Sequence, residues 1–279
     1  MSRTGHAPRA AAPAPHDAAS RPERAPDATP ADAPLAVRTL AVTYPAGYRV
    51  APHAHDWPQL VFAASGVLTV TTARGAWVVP PLRAVWAPAG VRHQLDTTGE
   101  VALRTLYLRP DRAPLLAADC TVLHVPPLLR ELILDIVELG ALSDGVPAHE
   151  ARLALLKELM RRARSAPLSA PLPHDPRARL VADRVLARPT ADDTLEQLAA
   201  GSGASPRTLE RLFRAETGLS FGRWRQQTRL LGALRLLGAG QPVGRVAERV
   251  GYRSASAFVA MFTRTLGRPP GSYFAADSE

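Results

Sequence analysis

The sequence predicts a multidomain α and β chain: an N-terminal antiparallel β-barrel or jelly roll, then a C-terminal all-α domain with two helix-turn-helix units. Three observations lead there. Short apolar or alternating runs, punctuated by Pro and Gly, fill residues 35–125. After Pro126-Pro127 the apolar period becomes helical. Near the C-terminus one spacing of small, glycine, serine and apolar residues occurs twice.

The 279 residues leave room for two domains of ordinary size, and 46% hydrophobic residues can bury a core. Residues 1–34, rich in Ala, Pro and Arg without apolar periodicity, read as a disordered tail. Strand-like runs follow at Leu60–Phe62, Val67–Thr72, Ala76–Val79, Ala84–Ala87, Val101–Leu108 and Thr121–Val125. Breaks fall at Gly66, Gly75, Pro80-Pro81, Pro88, Gly90 and Pro110. Many short strands at this spacing suit a barrel or jelly roll.

Residues 126–164 are expected to be helical. Leu128/Leu129, Leu132/Ile133 and Ile136/Val137 recur every four residues. A second helix runs from about Pro147 to Arg164, with Leu153, Leu156, Leu159 and Met160 apolar among charges. These stripes serve either a homodimer or packing on the chain's own barrel, and both readings stay open. Ser165–Pro176 holds four prolines in twelve residues and reads as a flexible linker. Residues 177–279 are helical in pattern.

Cys120 is the one cysteine, so neither a disulfide framework nor a cysteine-based zinc site fits within the chain. There is no run of about 18 apolar residues for a membrane span, and the N-terminus lacks the apolar core of a signal peptide. A cytoplasmic location without membrane contact is the expectation.

The repeat carries the C-terminal reading. Ala199-x3-Gly203-x-Ser205-x3-Leu209-x3-Phe213-x4-Gly218 is matched by Ala247-x3-Gly251-x2-Ser254-x3-Phe258-x3-Phe262-x4-Gly267. The alanine lets one helix approach the next, the glycine permits a tight turn, and the serine can cap the following helix. The apolar residues four and eight further on share a face. Each copy is a helix-turn-helix. A helix from Phe221 to Leu237 would join them. Its span of roughly 27 Å suits two readers in successive major grooves about 34 Å apart.

Charge agrees. Lys+Arg is 34 against Asp+Glu 25, a net +9, and Lys157 is the single lysine. From Gly201 to Arg268 there are 12 arginines and 3 glutamates, a surplus equal to that of the whole chain. Such a concentration marks a surface for a polyanion. Arginines 207, 211, 214, 223, 225, 245, 249 and 253 are the phosphate candidates.

Residues 195–274 resemble the DNA-binding domain of the AraC/XylS family of bacterial transcriptional regulators. The phrases are Ser205-Pro-Arg-Thr-Leu-Glu-Arg-Leu-Phe-Arg-Ala-Glu-Thr-Gly, Gly251-Tyr-Arg-Ser-Ala-Ser-Ala-Phe-Val-Ala-Met-Phe and Gly267-Arg-Pro-Pro-Gly-Ser-Tyr-Phe. The resemblance implies a transcription factor, activator or repressor, with recognition helices at about 205–216 and 254–265. Its partners would be double-stranded DNA, a small-molecule effector and, for an activator, RNA polymerase. DNA contacts are expected from Ser205, Arg207, Thr208, Glu210, Arg211, Arg214, Arg253, Ser254, Ser256, Ala257, Thr263 and Arg264. Arg can grip guanine and Glu can accept from cytosine, so the first helix should hold most of the base specificity.

Gly47-x5-His53-x-His55-x3-Gln59-x6-Gly66 resembles the first cupin motif, and Pro88-x-Gly90-x2-His93 part of the second. The resemblance implies a cupin-like sensor domain over residues 35–125. His53 and His55, two apart on a strand, would point the same way into the barrel. His53, His55, Trp57, Gln59, Trp86 and His93 are the candidate ligand-binding residues. Metal cupins usually supply a carboxylate where this chain has Gln59, and a glycine where it has Leu82. No metal or other cofactor is therefore expected; were an ion held, His53, His55, Gln59 and His93 would hold it. The alternative function is a metal-dependent cupin enzyme with an accessory DNA-binding domain. Gln59 and the intact second helix-turn-helix both favour a non-enzymatic regulator.

Overall fold

The computed structural model describes residues 34–165, 168–188 and 191–274. The tail expected over residues 1–34 lies, apart from Pro34, outside them. Nine strands come first: β1 (Leu35–Tyr44), β2 (Arg49–His53), β3 (Gln59–Ser65), β4 (Leu68–Thr72), β5 (Gly75–Val79), β6 (Arg83–Ala87), β7 (His93–Thr97), β8 (Val101–Leu108) and β9 (Thr121–His124). Then follow α1 (Pro127–Leu139), β10 (Ala141–Ser143), α2 (Pro147–Arg162) and β11 (Ser169–Pro171). The C-terminal region holds α3 (Pro176–Ala187), α4 (Leu195–Ala199), α5 (Pro206–Thr217), α6 (Phe221–Gly238), α7 (Val243–Arg249), α8 (Ala255–Leu266) and α9 (Pro270–Tyr273).

The strands form two antiparallel sheets, ordered β10-β1-β8-β3-β6-β9 and β11-β5-β4-β7-β2. Strand alternation divides the first sheet's side chains between two cores. Val61, Ala63, Val85 and Leu103 join Leu68, Val70, Trp77 and Leu95 of the second sheet. Leu60, Phe62, Ala84, Trp86, Leu106 and Leu108 face the other way, onto α1 and α2. Leu132 and Ile136, whose stripe could have served a dimer, are buried in that second core of their own chain. Burial against the barrel removes them as an intermolecular surface.

Strands β1, β2, β7, β10 and β11 lie outside the apolar runs of the sequence. The first three interleave their apolar residues with exposed or half-buried polar ones such as Arg38, Arg49 and Asp96, and β10 and β11 are three-residue edges defined by their partners. The flexible linker expected over Ser165–Pro176 is, among its described residues, partly the strand β11. It pairs with β5 through Ser169↔Trp77 and Pro171↔Gly75. An edge strand tolerates proline because one side of its backbone needs no ladder bond. Asp175 then caps α3 by accepting from the Arg177 N–H at 3.0 Å.

Both repeats fold as their residues dictate. Leu209 and Phe213, and in the second copy Phe258 and Phe262, are fully buried. Ser205 accepts from the Thr208 N–H and Ser254 from the Ala257 N–H, each at 3.2 Å. The turn glycines Gly203 and Gly251 have φ of +76° and +81°, values that L side chains rarely adopt.

The cores of the two units differ. The first packs Val181, Leu198, Leu209 and Phe213 around Trp224 of α6. The second, with Val246, Phe258 and Phe262, is continuous through Leu230, Leu231 and Leu234 of α6 with the barrel core. The α6 side chains Trp224 and Gln227 donate to the β11 carbonyls of Pro171 and Ser169. At its C-terminal end a Cβ on Gly238 would fall 2.2 Å from a Val67 methyl. The helix joining the two units therefore lies directly on the barrel.

Candidate nucleic-acid interface and barrel pocket

On α5, Arg207 and Arg211 are exposed and form no ion pair among the described residues. Arg214 is exposed but bonds Glu210 at 3.1 Å. Glu210 departs from its expected role of reading cytosine. Its other carboxylate oxygen accepts from the Phe221 N–H at 3.2 Å, capping the start of α6. The negative charge is drawn there by a helix N-terminus, and the group turns into the domain. Ser205 and Thr208 share a hydrogen bond at 3.0 Å, so both hydroxyls serve the cap.

On α8, Ser256, Ala257 and Arg264 are exposed and Thr263 is half-buried. The Ser254 hydroxyl is engaged as the cap. Arg253 has a side chain 94% exposed, 3.6 Å from Asp192. Among the phosphate candidates, Arg223, Arg245 and Arg249 are exposed, and Arg249 donates to Gln241. Arg225 is a correction. It donates to the carbonyls of Asp193, at 2.6 Å, and of Ala191, and so braces the segment before α4. Burial, then the neighbouring Arg229, lowers its pKa.

In the barrel, the structure brings His53, His55 and His93 together. A ring nitrogen of each lies within 4.8 Å of those of the other two. His53 and His55, expected two apart on one strand, do not share one: β2 ends at His53, and His55 lies in the loop beyond it. The Gly90 N–H donates to the His55 carbonyl at 2.8 Å and holds that loop across the mouth. His53 sits opposite His93 in the β2–β7 ladder, next to a register shift after Val50. Such a shift re-aims the side chains that follow it.

Gln59 is buried beside this cluster. Its amide N–H group donates to Thr105 at 2.9 Å and to the Tyr107 hydroxyl at 3.1 Å. Tyr107 meets His55 edge-on, ring centroids 4.9 Å apart. Burial pushes the His55 pKa down to about 4, helped by His53 and His93 and opposed by Asp56. Burial also lowers His93 and pushes the Tyr107 phenol up to about 12.

Trp86 does not join the histidine cluster. Trp86 lies in the core beneath α1 and α2 because it alternates with Val85 and Ala87. Trp57 is covered by Arg38, whose guanidinium carbon sits 4.2 Å from the ring centroid. Thr105 and Tyr107, neither of them marked out by the sequence motifs, link Gln59 to the histidine cluster. The alternation of Val101–Leu108 puts them on one face, but only the Gln59↔Tyr107 register shows which face meets the histidines.

Residues 35–187 match the AraC-like ligand binding domain family and residues 198–276 a helix-turn-helix domain family. The HTH-type transcriptional regulator NimR of Escherichia coli is 35% identical over 223 residues, 80% of this chain and 81% of NimR. The HTH-type transcriptional regulator RipA of Corynebacterium glutamicum is 36% identical over 103 residues, 37% of this chain and 31% of RipA. Among solved structures, the DNA-binding domain of AdpA in complex with a target DNA is 39% identical. It covers 37% of this chain and 92% of that one, with a TM-score of 0.34. No helix among the described residues is long and apolar enough to cross a membrane. A β-rich ligand-binding domain followed by two helix-turn-helix units, over these matched lengths, places the chain in the AraC family of helix-turn-helix transcriptional regulators.

Proposed function

We infer that the chain regulates a promoter by reading bases chiefly with α5 and gripping phosphates along both units. A small molecule at the barrel mouth biases the reader through α6. It acts in the cytoplasm, without catalysis, and engages RNA polymerase where it activates. The observation that carries this reading is the placement of α6. One helix joins both readers and packs on the sensor barrel. A coupling of about 1–3 kcal/mol between the sites is enough to switch a promoter.

Within the reader, Arg207 and Arg211 are the unpaired forks on the exposed face of α5. The α8 face offers Ser256, Ala257 and Ala260, which give methyl contacts or single hydrogen bonds. Each good Arg–guanine pair discriminates by about 1–3 kcal/mol. We expect Arg207→Ala and Arg211→Ala each to relax preference at a defined base pair by roughly 5- to 150-fold. Ser256→Ala should weaken all sequences evenly. Selection of bound sites from a random DNA pool reads this directly. Greater relaxation from Ser256→Ala than from the arginine changes would move specificity to α8.

Pairing of two copies belongs to the same proposal, because it would join two weak half-sites at millimolar effective concentration. It cannot use Leu132 and Ile136; Leu128 and Leu155 are the exposed leucines of α1 and α2. Sedimentation at micromolar concentration should show a dimer that Leu128→Glu dissociates. A wild-type monomer under those conditions removes pairing from the proposal.

A further inference from the structure

Where the barrel and both helix-turn-helix units meet, α6 borders a cleft of about 370 Å³, a size that small-molecule sites occupy. It lies apart from the barrel mouth and shares no residue with the histidine cluster. Thr98 of the β7–β8 loop, Val185 and Leu186 of α3 and Val250 after α7 close it against α6. Gly232 of α6 keeps it open, since a Cβ there would meet only a Val250 methyl, at 3.6 Å.

Three arginines and no carboxylate line the cleft: Arg229, Arg235 and Arg249. Arg235 is half-buried, yet it has no hydrogen-bond or ion-pair partner among the described residues. Asp96, the acid that acts on it from a distance, is already held by Arg49 and by the Gln94 amide, each at 2.6 Å. Burial lowers the Arg235 pKa against that pull. Arg229 is set deeper, with its side chain 16% exposed. Its Nε is buried without a partner, and its end reaches the Ala191 carbonyl and Asp192 only at 3.4 Å. Arg249 is exposed and donates to Gln241 at 3.0 Å. A guanidinium does not shed its proton to escape burial. An under-paired one beside apolar walls is therefore a cost that a bound anion offsets.

We propose that this cleft binds a small organic dianion, a phosphate monoester with an apolar body. Its head meets Arg235 and Arg229, and its body packs on Val185, Leu186, Leu236 and Val250. The planar fork of arginine matches phosphate oxygens in pairs. A dianion answers more of the three positive charges than a monocarboxylate does, and no acid in the lining repels it. The apolar walls favour an ester over inorganic phosphate. A ligand seated there touches the barrel loop and both units at once, and so gives the reader an input separate from the barrel mouth.

Calorimetric titration of the full-length protein tests this at constant ionic strength and a pH of about 8, where a phosphate monoester is a dianion. The probes are phenyl phosphate, inorganic phosphate and benzoate. One phenyl phosphate per chain is expected, bound about 10-fold or more tighter than inorganic phosphate and than benzoate. Arg235→Gln should weaken it by about 10-fold or more. Gly232→Leu fills the cleft without removing a charge and should abolish phenyl phosphate binding. Arg223→Ala, on the exposed surface of the reader, should leave the phenyl phosphate affinity unchanged. No binding by the wild type, or equal affinity for phenyl phosphate and either other probe, overturns the site. So does a loss in Arg223→Ala that matches the loss in Arg235→Gln, because the anion would then sit on the DNA-binding surface. Phenyl phosphate binding by a folded Gly232→Leu also overturns it, and that variant decides the matter even if Arg235→Gln fails to fold.

Discussion

Operator binding by this chain should fall roughly 500- to 20,000-fold as salt rises from about 50 to 200 mM. Each neutralised phosphate contributes a slope of about −0.9 to log K against log salt, and about 5–8 phosphates are expected from the basic surface. The net +9 of the chain is carried by residues 201–268. The structure further sorts those arginines. Arg207, Arg211, Arg223 and Arg245 are exposed on the helical domain, whereas Arg225 donates to the Ala191 and Asp193 carbonyls. Replacing Arg223 or Arg245 with Ala should therefore reduce the slope by about 0.9 each. Arg225→Ala should leave the slope unchanged and lower the melting temperature instead. Fluorescence anisotropy with a labelled operator at several salt concentrations measures each slope. A wild-type slope near zero, or an Arg225→Ala slope reduced like that of Arg223→Ala, contradicts this assignment.

The second large effect is on stability. Trp224 is fully buried at the centre of the first unit's core. Its ring centroid lies 5.1 Å from that of Phe213 and 6.3 Å from that of Phe221. Its indole N–H donates to the Pro171 carbonyl at 2.7 Å, the bond that ties α6 to β11. Trp224→Ala should cost about 3–5 kcal/mol, since it removes the transfer energy and leaves a cavity. Trp224→Phe keeps most of the packing and strands one half-buried carbonyl, so about 1–3 kcal/mol is expected. Urea denaturation followed by circular dichroism gives both numbers. A cost for Trp224→Ala no larger than that for Trp224→Phe would show that the hydrogen bond, not the packing, holds this core.

The helix-turn-helix units are legible because each is local. A turn glycine, a capping serine and apolar residues four and eight further on lie within one short segment, and each acts on its neighbours. The same holds for runs such as Leu60–Phe62 and Val101–Leu108, whose apolar character marks a buried sheet wherever it is placed. The three histidines are legible as a set because the motif spacing brings them to one end of the barrel. Their route is not: His55 is held by a loop contact from Gly90 rather than by strand alternation.

By itself, then, the sequence determined the order of elements, the two readers with their capping serines and turn glycines, the basic character of the reader and the identity of the clustered histidines. Tertiary structure alone decided which side chains are free to act. Glu210 caps α6, Arg225 braces a loop, and Leu132 and Ile136 close the chain's own core. Trp86 faces α1 and α2 while Tyr107 faces the histidines. The segment with four prolines is partly a strand under α6. The physical reason is range. Helix periods, caps and turns depend on residues a few positions apart. The face a strand presents, and the partner a charged group takes, depend on register and packing between segments tens of residues apart. Composition and spacing do not carry that information.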